Sequence, residues 1–296
     1  MRLWLFLTAA VAAVAAVFAG GCASTGQERG DAEFGPAPSF TDVAKVYNKR
    51  VAGLERLWAR STVRFQGVDE KEQAIDEQGE GHLQVIRPRK LYMTVGKVGN
   101  DAYELGSDDH RYWWIDVRER FALIGRHENA RGRMLERAGL PVPPLDVMAV
   151  LGISELRPEA AAPTVTRSDD GRRLIVTMPR PEGTRELRLD PRTYEPLEIL
   201  LRDKAGATTV SAELSEYAPV LHTEDAAGGG GVPSRMAMRI YLSAPKQRTE
   251  ITLWLHDAEN RGNKMRERAF DFDFLVREYR VQRVKDLDAL PANKAN

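Results

Sequence analysis

From residue 81 onward, most of the chain alternates apolar and polar residues one by one, and this constrains the fold more than any other feature. Leu83 and Val85 share one side of GHLQVIRP, and Leu91, Met93 and Val95 alternate with Tyr92, Thr94 and Gly96. The pattern returns at Leu174-Val176-Met178, Leu187-Leu189, Leu197-Ile199-Leu201, Met236-Met238-Ile240-Leu242 and Ile251-Leu253-Leu255. Successive strand residues point to opposite faces, so each segment predicts a strand with one dry side. Turn residues punctuate them at Gly99-Asn100-Asp101, Ser107-Asp108-Asp109, Asp169-Asp170-Gly171, Asp190-Pro191 and Lys204-Ala205-Gly206. About ten strands on short turns predict a mainly β protein with a few helices. The expected form is a single curved antiparallel sheet, apolar inside and polar outside.

Two helices interrupt the alternation. Ser39 is a candidate N-cap, with Asp42 three residues on. Phe40, Val43, Val46/Tyr47, Val51, Leu54 and Leu57/Trp58 then recur at three- and four-residue steps, with Lys45, Lys49, Arg50 and Glu55 off the stripe. The second helix follows Leu140-Pro-Val-Pro-Pro144 and runs to Gly152. Proline suits a helix start and glycine its end. A helix this short is unstable alone and needs an apolar surface to lie on, which makes Leu145, Val147, Met148 and Leu151 candidate residues of a lid. The glycine run 228–231 lacks the GK[ST] of a phosphate loop and predicts a hairpin connection.

The N-terminus has a different character. After Arg2, residues 3–18 (LWLFLTAAVAAVAAVF) are almost wholly apolar. The run is short for a membrane span and right for the apolar core of a signal peptide. It ends at Ala19-Gly20-Gly21-Cys22, and Cys22 is the only cysteine in the chain. This resembles a bacterial lipobox, with Phe18 and Ala19 standing where leucine is usual. The resemblance implies cleavage before Cys22 and acylation of its thiol. Ala23 rather than Asp after the cysteine implies the outer membrane, facing the periplasm. The expected organisation is a signal peptide over 1–21, a flexible Gly/Pro-rich tether over 22–39, one domain over 40–288 and a tail over 289–296.

Composition excludes several function classes. Lys plus Arg (43) equals Asp plus Glu (43), which argues against a nucleic-acid partner held by bulk charge. One cysteine excludes a disulfide framework and a cysteine zinc site, and five scattered histidines favour no metal. There is no G-x-S-x-G elbow and no H-E-x-x-H. Asp108-Asp109-His110 reads as a charged turn, and the arginines between 126 and 137 are interleaved with Glu128 and Glu136 as on a solvated connection. No enzyme and no cofactor is expected.

An amphipathic helix before a long antiparallel sheet, the strand Gly81-His82-Leu83-Gln84-Val85-Ile86-Arg87-Pro88, the aromatic strand Arg111-Tyr112-Trp113-Trp114 and a closing strand ending in Phe270-Asp-Phe-Asp-Phe274 resemble the LolA/LolB/LppX superfamily of lipoprotein carriers. The resemblance spans roughly residues 40–287. It implies a half-open β-barrel of about eleven strands, lined with apolar side chains and closed by helices. In LolA carriers the arginine of the Arg-Pro pair bonds to the lid, and Arg87 stands at that position. Acylation and a longer chain depart from LolA itself and are closer to LolB or LppX.

Combined with the strand phases, the resemblance implies a cavity lined by Leu91, Met93, Val95, Trp113, Met178, Met236, Met238, Ile240 and Leu253. Only one of Trp113 and Trp114 can face inward. Flexible methionines suit a pocket for varied chains, and suit gap-filling in a packed core equally well. The implied ligand is an acyl chain of a lipid or lipoprotein, and the implied partner is the membrane that holds Cys22, with the protein acting as a monomer. A sensor module of the RseB/MucB type and a structural lipoprotein with a filled core are the competing readings.

Overall fold

A computed structural model describes residues 35–68, 73–97, 100–130, 144–157, 162–221, 231–241, 248–260 and 265–289. By its contacts the chain divides into Met1–Pro36 and Ala37–Asn296, and every described helix and strand belongs to the second unit. The signal peptide, Cys22 and most of the tether lie outside the described residues.

Helix α1 spans Phe40–Ala52. The Ser39 hydroxyl caps it, accepting from the Asp42 amide at 3.2 Å. Val43, Tyr47 and Val51 are buried as the stripe requires, but Val46 is 45% exposed and Arg50 is buried with them. The helix ends earlier than the stripe suggests. Leu57 and Trp58 belong to the first strand, β1 (Arg56–Val68).

The first meander continues with β2 (Ala74–Ile86), β3 (Lys90–Lys97), β4 (Asn100–Ser107), β5 (Arg111–Asp116) and β6 (Phe121–Arg126). Helix α2 (Pro144–Val150) follows. The second meander runs through β7 (Thr164–Arg167), β8 (Leu174–Arg180), β9 (Gly183–Leu189), β10 (Pro196–Asp203), β11 (Thr208–Pro219), β12 (Gly231–Tyr241) and β13 (Arg248–Asn260). Helix α3 (Phe272–Glu278) and β14 (Arg283–Asp286) close the chain.

All fourteen described strands form one sheet, in the order β14-β6-β5-β4-β3-β2-β1-β13-β12-β11-β10-β9-β8-β7. It is a single curved sheet that does not close into a barrel, since β14 and β7 remain as edges. The count exceeds the expected eleven or so. The sheet is also not wholly antiparallel, because β14 pairs with β6 in parallel. The two meanders meet at its middle, where β13 returns to pair antiparallel with β1. This topology dictates where α2 must go. It connects β6, next to one edge, with β7, the other edge, so the chain has to cross the sheet.

Two cores result. On the concave face α1 and α2 pack onto residues such as Leu57, Leu83, Leu105, Val176, Leu187, Ile199 and Met236. The sequence predicts a polar convex face, but over β3–β6 that face is covered too. Tyr92, Trp113, Ile115 and Ala122 pack beneath Met265, Phe270, Phe272 and Leu275. The cover is made from residues expected to be a strand. Residues 267–270 form a 3-10 turn and Phe272 begins α3. Asp271 caps this helix by accepting from the Phe274 amide at 3.0 Å.

Candidate ligand cavity and its lid

Register lines up the inward residues in rows. Leu83, Met93, Leu105, Trp114 and Leu123 are successive partners across β2 to β6. Val63, Leu253, Met236 and Leu214 are partners across β1, β13, β12 and β11. Residues of both rows line a hollow of about 400 Å³. That volume falls within the range of ligand pockets.

Of the residues predicted to line a cavity, Met93, Val95, Met236, Met238 and Leu253 do so, and Val147 of α2 contributes from above. Leu91, Met178 and Ile240 are buried in the same concave core but are not part of the lining. Trp113 requires a correction, since the wall is made by its neighbour Trp114. Trp113 belongs to the opposite face, fully buried with its ring centroid 5.7 Å from that of Phe272. Gly106 is its partner on β4, and a Cβ there would stand 2.3 Å from the Trp113 indole nitrogen. The glycine gives the indole room to lie flat on the sheet. Sequence reasoning missed Phe65, Ile75 and Ile251, which line the hollow towards one end of the sheet.

The lining also includes the polar residues Glu77, Gln78, Tyr103 and Arg118. Partial burial raises the Tyr103 hydroxyl above its ordinary pKa, and Asp116 and Glu77 add to the effect. The phenol therefore stays neutral beside the hollow.

Helix α2 lies over this hollow and is held at both ends. At its start Asp146 pairs with Arg180 of β8 at 2.7 Å. Near its end the Ala149 carbonyl accepts from Arg185 of β9 at 2.8 Å. The Gly152 carbonyl accepts from both Arg50 (2.6 Å) and the Tyr47 hydroxyl (2.7 Å) of α1. Cations at a helix C-terminus meet the negative end of its dipole. Gly152 has φ +68°, the left-handed conformation that ends a helix most readily at glycine. Beyond it, Asn48 exchanges two bonds with the backbone of Leu156, at 2.9 and 2.8 Å.

Among the lid residues expected from sequence, Val147, Met148 and Leu151 are buried and Leu145 packs half-buried against the concave core. Arg87 reaches past the lid helix itself. It pairs with Glu155 in the segment after α2 at 3.4 Å, and donates to the Ala52 carbonyl at the end of α1 at 3.3 Å. It therefore ties the two helical segments to each other.

Arg50 has an unusual environment for a guanidinium. It is 8% exposed, and among the described residues no carboxylate pairs with it. Carbonyls of Gly152 and Gly231 accept from it, and it lies over the rings of Tyr47 and Tyr217 at 4.7 and 6.0 Å. Burial pushes the Tyr217 hydroxyl far above its ordinary pKa, and it donates to the Pro196 carbonyl at 2.6 Å.

The Asp108-Asp109-His110 turn is structural. Asp108 accepts from the amides of His110 and Arg111 at 2.8 and 2.6 Å and from the Arg111 guanidinium at 3.1 Å. Among the described residues no cluster of acidic, histidine or cysteine side chains could hold a metal. No described helix is long and apolar enough to cross a membrane.

No protein-family model matches this chain, and no curated protein matches it. A LolA superfamily protein from Nitrosomonas europaea superposes with a TM-score of 0.51, over 80% of this chain and 100% of that one, at 10% identity. The fold is LolA-like. At 10% identity the likeness concerns the LolA-like fold alone. More distant matches are a DUF1329 family protein from Desulfovibrio piger (TM-score 0.48, 10% identity, 78% of this chain and 98% of that one) and a putative outer membrane lipoprotein-sorting protein domain from Vibrio parahaemolyticus (0.43, 15%, 79% and 97%).

Proposed function

We propose that this protein is a carrier of the bacterial envelope, whose concave face takes an acyl chain of a lipid or lipoprotein beneath α2. The observation that supports it is the hollow of about 400 Å³, walled by Met93, Val95, Trp114, Met236, Met238 and Leu253 and roofed by Val147. A structural lipoprotein would fill this space with its own side chains. Burial drives such binding at about 0.8 kcal/mol per methylene, so ten sheltered methylenes contribute roughly 8 kcal/mol before ordering costs. No catalytic group is needed. Acylated Cys22 would hold the body beside the membrane, and passage of the chain onward would follow from lid opening and a difference in affinity between acceptors.

Organic extraction of the purified full chain followed by mass spectrometry tests the cavity. Near-stoichiometric lipid is expected, together with saturable uptake of an environment-sensitive fatty-acid probe. Val95→Phe should narrow the hollow and reduce uptake while the circular dichroism spectrum is kept. A chain that carries no lipid and takes up no probe would end the carrier reading. For the anchor, Cys22→Ser should release the protein from membranes into the soluble fraction, and retention on the membrane would exclude acylation as the attachment.

A further inference from the structure

A second concavity lies on the convex face, across the sheet from the apolar hollow. It encloses about 440 Å³ between β1–β3 and the segment formed by the 3-10 turn and α3. Trp58, Gln84 and Tyr92 are direct partners across β1, β2 and β3 and form its floor. The His82 ring stacks 6.4 Å from Trp58 at 24°, and lies 5.7 Å from Tyr92.

Arg266 and Arg268 stand over this floor from the 3-10 segment, both exposed. Glu267 between them turns the other way, towards Arg56 (3.9 Å) and Lys90 (3.8 Å). Glu278 of α3 lines the same groove, but among the described residues neither Arg266 nor Arg268 pairs with a carboxylate, and the Arg268 guanidinium lies 5.4 Å from the Phe274 ring centre. Gln84 is 5% exposed, and its carbonyl oxygen has no hydrogen-bond partner among the described residues.

These groups call for a particular ligand chemistry. Two guanidinium forks suit a phosphate or carboxylate. Aromatic faces attract the polarised C–H bonds of a sugar ring. An orphaned amide acceptor calls for a donor such as a hydroxyl. A fatty chain would leave the Gln84 carbonyl without a partner and draw two guanidiniums out of water, so it belongs on the other face. We propose that this groove binds a phosphorylated or carboxylated sugar, its ring against Trp58, its anion between Arg266 and Arg268 and a hydroxyl towards Gln84. A soluble sugar and the headgroup of a glycolipid offer the same chemistry. The assignment stands independently of the acyl-carrier reading.

The test titrates the full chain carrying Cys22→Ser with glucose 6-phosphate and with glucuronate, followed by tryptophan fluorescence. At least one should bind saturably, tenfold or more tighter than either glucose or inorganic phosphate. Arg266→Gln with Arg268→Gln should weaken that binding at least tenfold and leave fatty-acid uptake unchanged. Trp58→Phe should weaken it as well, read by calorimetry. Binding to phosphatidylcholine vesicles bearing a phosphorylated glycolipid, displaced by the soluble sugar, assigns the headgroup as the source. Binding of the soluble sugar without vesicle binding assigns a soluble glycan. The proposal is overturned if neither sugar binds, if inorganic phosphate binds as tightly, or if the double arginine variant binds unchanged.

Discussion

Arg50 shows how far a single residue can depart from its sequence pattern. Its position on α1 lies on the same face as Val43, Tyr47 and Val51, yet charge argues for placing it outside. Burial becomes tolerable because the guanidinium meets carbonyls of Gly152 and Gly231, and because two tyrosine rings lie against it. Those acceptors come from residues about a hundred and more positions away, so no local pattern could announce them. Lysine keeps the charge but presents a compact ammonium that cannot reach both carbonyls in the same geometry. Arg50→Lys should therefore lower stability by about 1.5–3 kcal/mol, the worth of a charge-assisted bond. Urea unfolding measures this, and an unchanged midpoint would show that the ring contacts alone hold the residue.

At the level of elements, alternation located the strands but left their phase open where both phases are apolar. In Arg111–Asp116, Tyr112 and Trp114 make one phase and Trp113 and Ile115 the other. Both look like core, and both are core, because the sheet is covered on each side. What decides between them is register with Met93 and Leu105, a property of three strands together. The cover itself was hidden in FDFDF, which imitates a strand by alternating Phe270, Phe272 and Phe274. The Asp271 cap and the helical spacing of Phe272 and Leu275 were the local signals for α3. Because Trp113 supports this cover and not the hollow, Trp113→Ala should cost about 3–5 kcal/mol of stability. Fatty-acid uptake at a temperature where the variant is folded should remain. Loss of uptake in a folded variant would mean that the convex core shapes the cavity through the sheet.

For the whole molecule, topology sets the function of the lid. A meander that begins in the middle of the sheet, runs to one edge and resumes at the other needs a connection from edge to edge, and α2 within it packs on the concave face. The short apolar helix predicted in that connection finds its surface there, and the sequence showed both the helix and its need for one. The fastenings were not legible, because Arg180 and Arg185 sit on strands of the second meander and reach α2 only after the sheet has curled. Arg180–Asp146 is partly exposed, about a fifth of each side chain meeting solvent, so its contribution is modest and sensitive to salt. Cutting it with Arg180→Ala raises the population of any state in which the start of α2 swings away. If the ligand enters beneath α2, a latch worth about 1 kcal/mol implies uptake and release both several-fold faster, since 1.4 kcal/mol is tenfold. Because both directions speed up together, the equilibrium affinity changes less than either rate. Stopped-flow mixing with a fatty-acid probe separates these quantities, and raising ionic strength should reproduce part of the effect in the unmodified chain. Rates that ignore both changes would place the route at the strand ends near Phe65 and Ile75, with α2 a fixed roof.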